Sequence, residues 1–274
     1  MGREEAEMKL LILAFDGLEA TLVEKWKLRH LLGEEHGTYP VDASRYLTPV
    51  LWASFLTGLG PEHFREKVKF VEGHSLPGRV RSLLPGPLKP VLRKFLRPVL
   101  GPRPPSIRGR YRTIFDLAGA PLPYNVFCYN ELPEQFNLRL RTSITRIMGD
   151  EEACFRAYRA WMKWTVILAE RFRAQLVRRP WNLAMCHFYF TDITGHLWPR
   201  GLRRAYLLAD TITAYLRPLA DVTLVVSDHG MNRQTRLHTP YGFWSITGTR
   251  LAQEPRSVTD FYRLIRQLLM IMTT

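Results

Sequence analysis

The chain is poor in cysteine. Its 274 residues include three, Cys128, Cys154 and Cys186, far apart and without a CxxC spacing. That excludes a disulfide-stapled framework, and the three read as reduced core thiols of an intracellular protein. Long apolar runs are missing too. None approaches the roughly 18 residues needed to span a bilayer, and the opening Met1-Gly2-Arg3-Glu4-Glu5-Ala6-Glu7 is too acidic for a secretory signal. A cytoplasmic address is the expectation by elimination. Acidic residues are scarce: 25 Asp and Glu stand against 39 Lys and Arg, a net charge of +14, so the field around the molecule attracts anions. Phosphates, nucleotides, nucleic acid and anionic lipid all fit that field. From Gly73 to Phe115 there is no acid at all, while bases from Arg79 to Arg112 alternate with prolines. Within that stretch, Leu88 to Leu100 resembles a short basic amphipathic helix. The 73–112 segment reads as a basic, Pro-rich insertion: a lid over an anionic substrate, a patch for lipid or nucleic acid, or a solvated loop. The lid is favoured, because loops carried by an enzyme-like sheet tend to serve a site.

What is present is a repeated pattern of buried strand followed by ligand. The hydrophobic content of 46% supports an ample core. Val222 to Val226 is β-branched and almost uninterrupted, a strand buried on both faces, and it stops at Ser227-Asp228-His229-Gly230. A carboxylate followed by an imidazole offers oxygen and nitrogen to an ion such as zinc, and the glycine lets the backbone turn. Taken alone, that pair is more often an ordinary turn. Lys9 to Phe15 repeats the pattern and ends in Asp16-Gly17, at the carboxyl edge where open α/β sheets hold their ligands. Asn182 to Phe190 is a third such strand, followed by Asp192 and His196. Four residues apart on a helix, these two share one face about 5–6 Å apart, within reach of a single ion. His187, inside the strand, reads as a satisfied interior histidine.

Helices alternate with these strands. Leu18 to Leu32 has helical spacing and closes at Gly33, and Glu34 to Arg45 reads as turns with one short strand. Thr48 to Gly58 has both helix ends written in: Thr48 as N-cap, Pro49 at the first helical position, Gly58 past the end. A helix N-terminus carries about half a positive charge, which favours an alkoxide on Thr48 and a phosphate oxygen beside it, although threonine caps are common. Arg112 to Ala118 reads as a helix start, Tyr124 to Tyr129 as a strand, and Asp150 to Arg179 as a long helix with a core stripe of Trp161, Trp164 and Ile167. A further helix runs from Gly201 to about Leu219. His238 lies in a short loop, and Ser257 with Asp260 makes a capping-box-like start to a final amphipathic helix.

Three strands therefore end in Asp16, in Asp192 with His196, and in Asp228 with His229. With His238 and Thr48 they supply enough ligands for two divalent ions and a nucleophile, and paired ions about 3.5–4 Å apart are a standard device for phosphoryl transfer. The ordered set Phe15-Asp16-Gly17, Thr48-Pro49 with Ser54 and Thr57-Gly58, Asp192-x-x-Gly195-His196, and Ser227-Asp228-His229-Gly230-Met231 resembles the alkaline phosphatase superfamily. Within it, the likeness is to the type I phosphodiesterase/nucleotide pyrophosphatase branch, over roughly residues 9 to 245.

The resemblance implies an α/β fold: a three-layer α/β/α core with a mostly parallel central sheet, in one catalytic domain over 1–274 with 73–112 inserted as a cap. It implies that Asp16, Thr48, Asp228 and His229 hold one metal and that Asp192, His196 and His238 hold the other, with zinc expected and manganese as the alternative. Thr48 would be the nucleophile and would pass through a phosphothreonine intermediate. The implied substrate is a small anionic phosphate ester, diester or monoester, with a nucleotide among the candidates. Two departures stand out. Leu51 occupies the place where the branch has an asparagine that binds a phosphate oxygen, and His238 is followed by Thr239 rather than glycine. His63 and His74 would be poor substitutes for His238. A phosphotransferase or mutase of the same superfamily is a second reading, but those enzymes use serine and carry a large second domain. Sulfatases need a cysteine or serine convertible to formylglycine, which a threonine cannot supply. A third reading is a basic protein on a non-catalytic hydrolase scaffold, binding membrane or nucleic acid through 77–112.

Overall fold

The structure is a computed structural model that describes residues 8–42, 48–65 and 106–271. Most of the basic insertion, including the amphipathic 88–100 segment, lies outside the described residues, as does His74. Six strands form one sheet: β1 (Leu10–Phe15), β2 (Glu35–Pro40), β3 (Pro121–Tyr124), β4 (Leu183–Phe188), β5 (Val222–Ser227) and β8 (Tyr241–Thr247). Two further strands, β6 (Gly230–Met231) and β7 (His238–Thr239), pair with each other, and the large sheet runs β2-β8-β5-β1-β4-β3. β1 lies parallel to β4 and β5, and β3 parallel to β4, while β8 runs antiparallel to both β5 and β2. The fold is mixed α/β with a mostly parallel sheet, and its shorter helices include α4 (Glu62–Arg65), α5 (Pro133–Arg141) and α6 (Ile144–Ile147).

Every residue of β1, β4 and β5 is buried, which is why each reads as a largely apolar run, broken only by His187 in β4 and by Thr223 and Ser227 in β5, rather than an alternation. Successive side chains of a strand point to opposite faces, and β1 feeds two cores in this way. Leu11, Leu13 and Phe15 pack with Trp161 and Phe172 of α7 (Glu151–Arg178), Ile193 of α8 (Phe190–Leu197) and Ala209 of α9 (Leu202–Leu216). Leu10, Ile12 and Ala14 pack instead with Trp52 and Phe55 of α3 (Thr48–Thr57) and Phe261 and Ile265 of α10 (Asp260–Ile271). Trp161 is fully buried, with Trp164 and Ile167 half-buried beside it. The three cysteines are free and buried. No helix among the described residues is long and apolar enough to cross a membrane.

Local structure departs from the sequence reading in several places. The 18–32 segment is two helices, α1 (Ala20–Lys25) and α2 (Arg29–Leu32), because Lys27 turns at φ 52° and lets both Leu28 and Leu31 reach the core. The 124–129 segment is a turn rather than a strand. β3 ends at Tyr124, and Asn125 and Cys128 take φ values of 55° and 59°. The Asn125 side-chain amide fixes that turn by donating to Gln135 and to the His187 carbonyl, both at 2.8 Å, so Val126 and Phe127 fill the core from a loop. Thr113 and Asp116 close a capping box on a single 3₁₀ turn over Ile114–Leu117 instead of opening a longer helix. Thr48 opens α3 as its first residue rather than preceding it. At the start of α10 the expected box is replaced: the Arg256 N–H donates to the Asp260 carboxylate at 2.9 Å, while Ser257 bonds Thr259.

Candidate metal centre

The geometry of the site follows from strand register. Phe15 stands opposite Phe188 and Ala14 opposite Val226, so β1, β4 and β5 end level with one another at their carboxyl edge. The three ligand-bearing turns therefore emerge side by side. The Thr191 hydroxyl at the start of α8 donates to the Asp16 carbonyl, joining the first two turns. Ser227 joins the first to the third: its hydroxyl accepts from the Leu18 N–H and donates to the His229 carbonyl, both at 2.8 Å. Gly17 sits at φ 75°, and a Cβ there would lie 2.9 Å from the Asp192 Cα. Only glycine allows the two aspartate turns to come this close.

Two groups of ligand atoms result. In one, Asp16, Asp228 and His229 bring their donor atoms within 4.8 Å of one another, and all three residues are buried. His229 Nε2 lies 3.4 Å from Asp16 Oδ1 and 3.6 Å from Asp228 Oδ2, and the Thr48 hydroxyl comes within 3.4 Å of the same nitrogen. His229 Nδ1 is 3.0 Å from the Gly230 carbonyl. A carbonyl only accepts, so the neutral imidazole carries its proton on Nδ1 and turns the Nε2 lone pair toward the carboxylates. The four carboxylate oxygens of Asp16 and Asp228 are buried and accept no hydrogen bond among the described residues. Burial, reinforced by the neighbouring carboxylates of Asp228 and Asp192, pushes the Asp16 carboxyl well above its ordinary value. Buried carboxylates without donors are costly unless a cation faces them, and here one oxygen of each lies within 4.8 Å of the other's and of a His229 ring nitrogen.

The second group is Asp192, His196 and His238. One turn of α8 places Asp192 and His196 on the same face, as their spacing implies, and His238 arrives from β7. The two Nε2 atoms are 3.0 Å apart and lie 3.2 and 3.3 Å from Asp192 Oδ1. Ligands on a tetrahedral zinc with bonds of about 2.0–2.1 Å stand about 3.3 Å apart, so these three atoms have the spacing of one tetrahedral face. Burial alone would raise the Asp192 carboxyl, but His196 and His238 outweigh it and hold the group below its usual range. The His229 and His238 rings stack at 3.7 Å between centroids, which puts the two groups side by side.

All seven residues singled out in the sequence thus converge on one rim. Other expectations fare differently. His187 is buried but not satisfied by hydrogen bonds: neither ring nitrogen has a partner, and the imidazole packs against Trp52 and Phe127. Burial first, then nearby Arg139, lowers its pKa to about 3, so the ring is neutral. Leu51 is buried and offers no polar side chain to the site. His63 belongs to neither group and packs with Phe64 and Tyr111. Glu19 and Tyr206 were missed by sequence reasoning. The Tyr206 hydroxyl accepts from the Glu19 N–H at 2.7 Å and donates to the Gly17 carbonyl at 3.0 Å, pinning the turn that carries Asp16. Nothing in the local sequence marked either residue, because the partners that give them their roles lie far along the chain.

No family model matches the chain, and no curated protein matches it. Among solved structures it is similar to the PH0037 protein from Pyrococcus horikoshii, at 12% identity over 97% of this chain and 98% of that one, with a TM-score of 0.47.

Proposed function

We propose that the protein is a metal-dependent hydrolase of phosphate esters, with Thr48 as nucleophile, on a three-layer α/β/α core of the alkaline phosphatase type. The observation that carries this reading is the pairing of two ligand groups, Asp16/Asp228/His229 and Asp192/His196/His238, on one rim beside the Thr48 hydroxyl. The donor set suits zinc, with manganese as the alternative: three imidazoles and three carboxylates, mixed nitrogen and oxygen. Bound there, divalent ions would neutralise phosphoryl oxygens and favour ionised oxygen nucleophiles.

The chain's own groups supply the rest. Thr48 opens α3, where free backbone N–H groups and the helix dipole favour an alkoxide over a hydroxyl. Its oxygen attacks phosphorus in line, the Thr48 O–P bond forms as the bond to the leaving oxygen breaks, and a phosphothreonine results. Water then attacks the same phosphorus, breaks the Thr48 O–P bond and restores the hydroxyl. The sequence resemblance to the phosphodiesterase/nucleotide pyrophosphatase branch supports a diester or nucleotide substrate, and the net charge of +14 supports an anionic one.

The test is hydrolysis of bis-p-nitrophenyl phosphate by protein loaded with zinc or manganese. Thr48→Ala is expected to lower turnover by at least about 10³-fold while keeping about two ions per chain by elemental analysis. Turnover that survives either Thr48→Ala or complete removal of metal would overturn the mechanism.

A further inference from the structure

Glu19 is a carboxylate at 4% exposure whose partners among the described residues are hydroxyls and one backbone N–H. Oε1 accepts from the Thr21 hydroxyl at 3.0 Å and from the Tyr241 hydroxyl, and Oε2 accepts from the Thr239 hydroxyl at 2.9 Å. Capping α1 explains the bonds to Thr21, since Glu19 is its N-cap. It does not explain why a charged group is buried, at a desolvation cost, to reach residues 220 and 222 positions further along the chain.

The residue at the far end stands next to His238. That histidine is the least protected of the ligands, with 28% side-chain exposure against 3% for Asp192. It sits on a two-residue strand that pairs, among the described residues, with just one other two-residue strand, and it follows an exposed loop over 232–237. So short a ribbon holds a ligand weakly. The hydroxyl of Thr239, the residue after His238, bonds Glu19. The same carboxylate lies under Gly230, where an added Cβ would overlap both Glu19 Oε2 and Thr239 Oγ1.

We propose that Glu19 is a positioning residue of the metal centre, holding His238 on the Asp192/His196 group through the hydroxyl of Thr239. It acts from the turn that also carries Asp16, so one short segment supplies a ligand to the first group and an anchor to the second. The inference rests on the two-metal reading above.

The experiment titrates the metal-free chain with zinc against a chromophoric chelator. Wild type is expected to show two sites. Thr239→Val, nearly isosteric but unable to donate, should weaken one site by 10–100-fold, the effect typical of losing a ligand's outer partner, and leave the other within about threefold. Thr239→Ser should restore the lost affinity, and Glu19→Ala should lose at least as much as Thr239→Val. If Glu19→Ala does not fold, the Val/Ser pair decides alone. A Thr239→Val chain with both sites at wild-type affinity, or with both weakened equally, overturns the positioning role. A wild type that binds no divalent ion overturns the two-metal reading itself and this inference with it, a result visible before any variant is made.

Discussion

The two ligand groups use the same residue types and differ in how they manage charge. Asp16, Asp228 and His229 are 0–1% exposed and acid-rich, and their carboxylate oxygens have no donors. Asp192, His196 and His238 are histidine-rich and partly open; Asp192 Oδ1 likewise accepts no hydrogen bond among the described residues, but two imidazole nitrogens lie 3.2 and 3.3 Å from it. The consequences run in opposite directions: burial and like charges push Asp16 up, while the histidines bring Asp192 down. The second group can persist as an internal network, whereas the first is a set of mutually repelling acids that a cation would resolve. The opposite directions in which the two carboxyls are pushed are the property to test.

The largest expected effect is on stability. Zinc at about 100 times its Kd should add about 2.7 kcal/mol for each occupied site, which for a domain of this size is a Tm rise of at least about 5 °C. Calorimetry with and without chelator measures it. If zinc leaves the Tm unchanged, the charge contrast between the groups has no bearing on metal binding.

Asp16→Asn separates the groups more sharply. In the metal-free chain the folded-state pKa of Asp16 lies above its unfolded value of 3.8, so the folded form binds the extra proton and stability falls as pH rises through that window. The sign is reversed at Asp192, whose contribution is present above 3.8 and is lost as pH falls below it. The Asn variant keeps the shape without the charge. At pH 8 it should be more stable than metal-free wild type by about 1–3 kcal/mol, the cost of a buried unsatisfied group, and it should gain less from zinc. Urea denaturation at pH 5 and pH 8 reads both effects. Equal stability of the two chains at pH 8 would mean that Asp16 is not strained.

Much of this was legible in the sequence, for a physical reason. A parallel strand covered on both faces is mostly apolar, so β1, β4 and β5 announce themselves, and the acids that follow each, Asp16, Asp192 and Asp228, mark the rim. The spacing of Asp192 and His196 likewise encodes a shared helix face. The turn over 125–128 was not legible, because Val126 and Phe127 are as apolar in a buried loop as in a strand. What bends the chain there is a side-chain amide reaching Gln135 and His187, which no local pattern records. Glu19 was hidden in the same way, since the hydroxyls that explain its burial lie more than 200 residues away.

Gly17 is where the two groups come closest, and it gives the smallest and most local test. At φ 75° an alanine would be strained, and its Cβ would sit 2.9 Å from the Asp192 Cα, a backbone atom that cannot swing aside. The expected cost is about 1–3 kcal/mol of stability. Relief comes most easily by moving α8, because the turn carrying Asp16 is tied down by Ser227 and Tyr206. Gly17→Ala should therefore weaken zinc at the Asp192 group while largely sparing the Asp16 group, the reverse of Asp16→Asn. Competition titration of the two variants side by side measures this, and an identical pattern of loss in both would mean that the groups behave as one site rather than two.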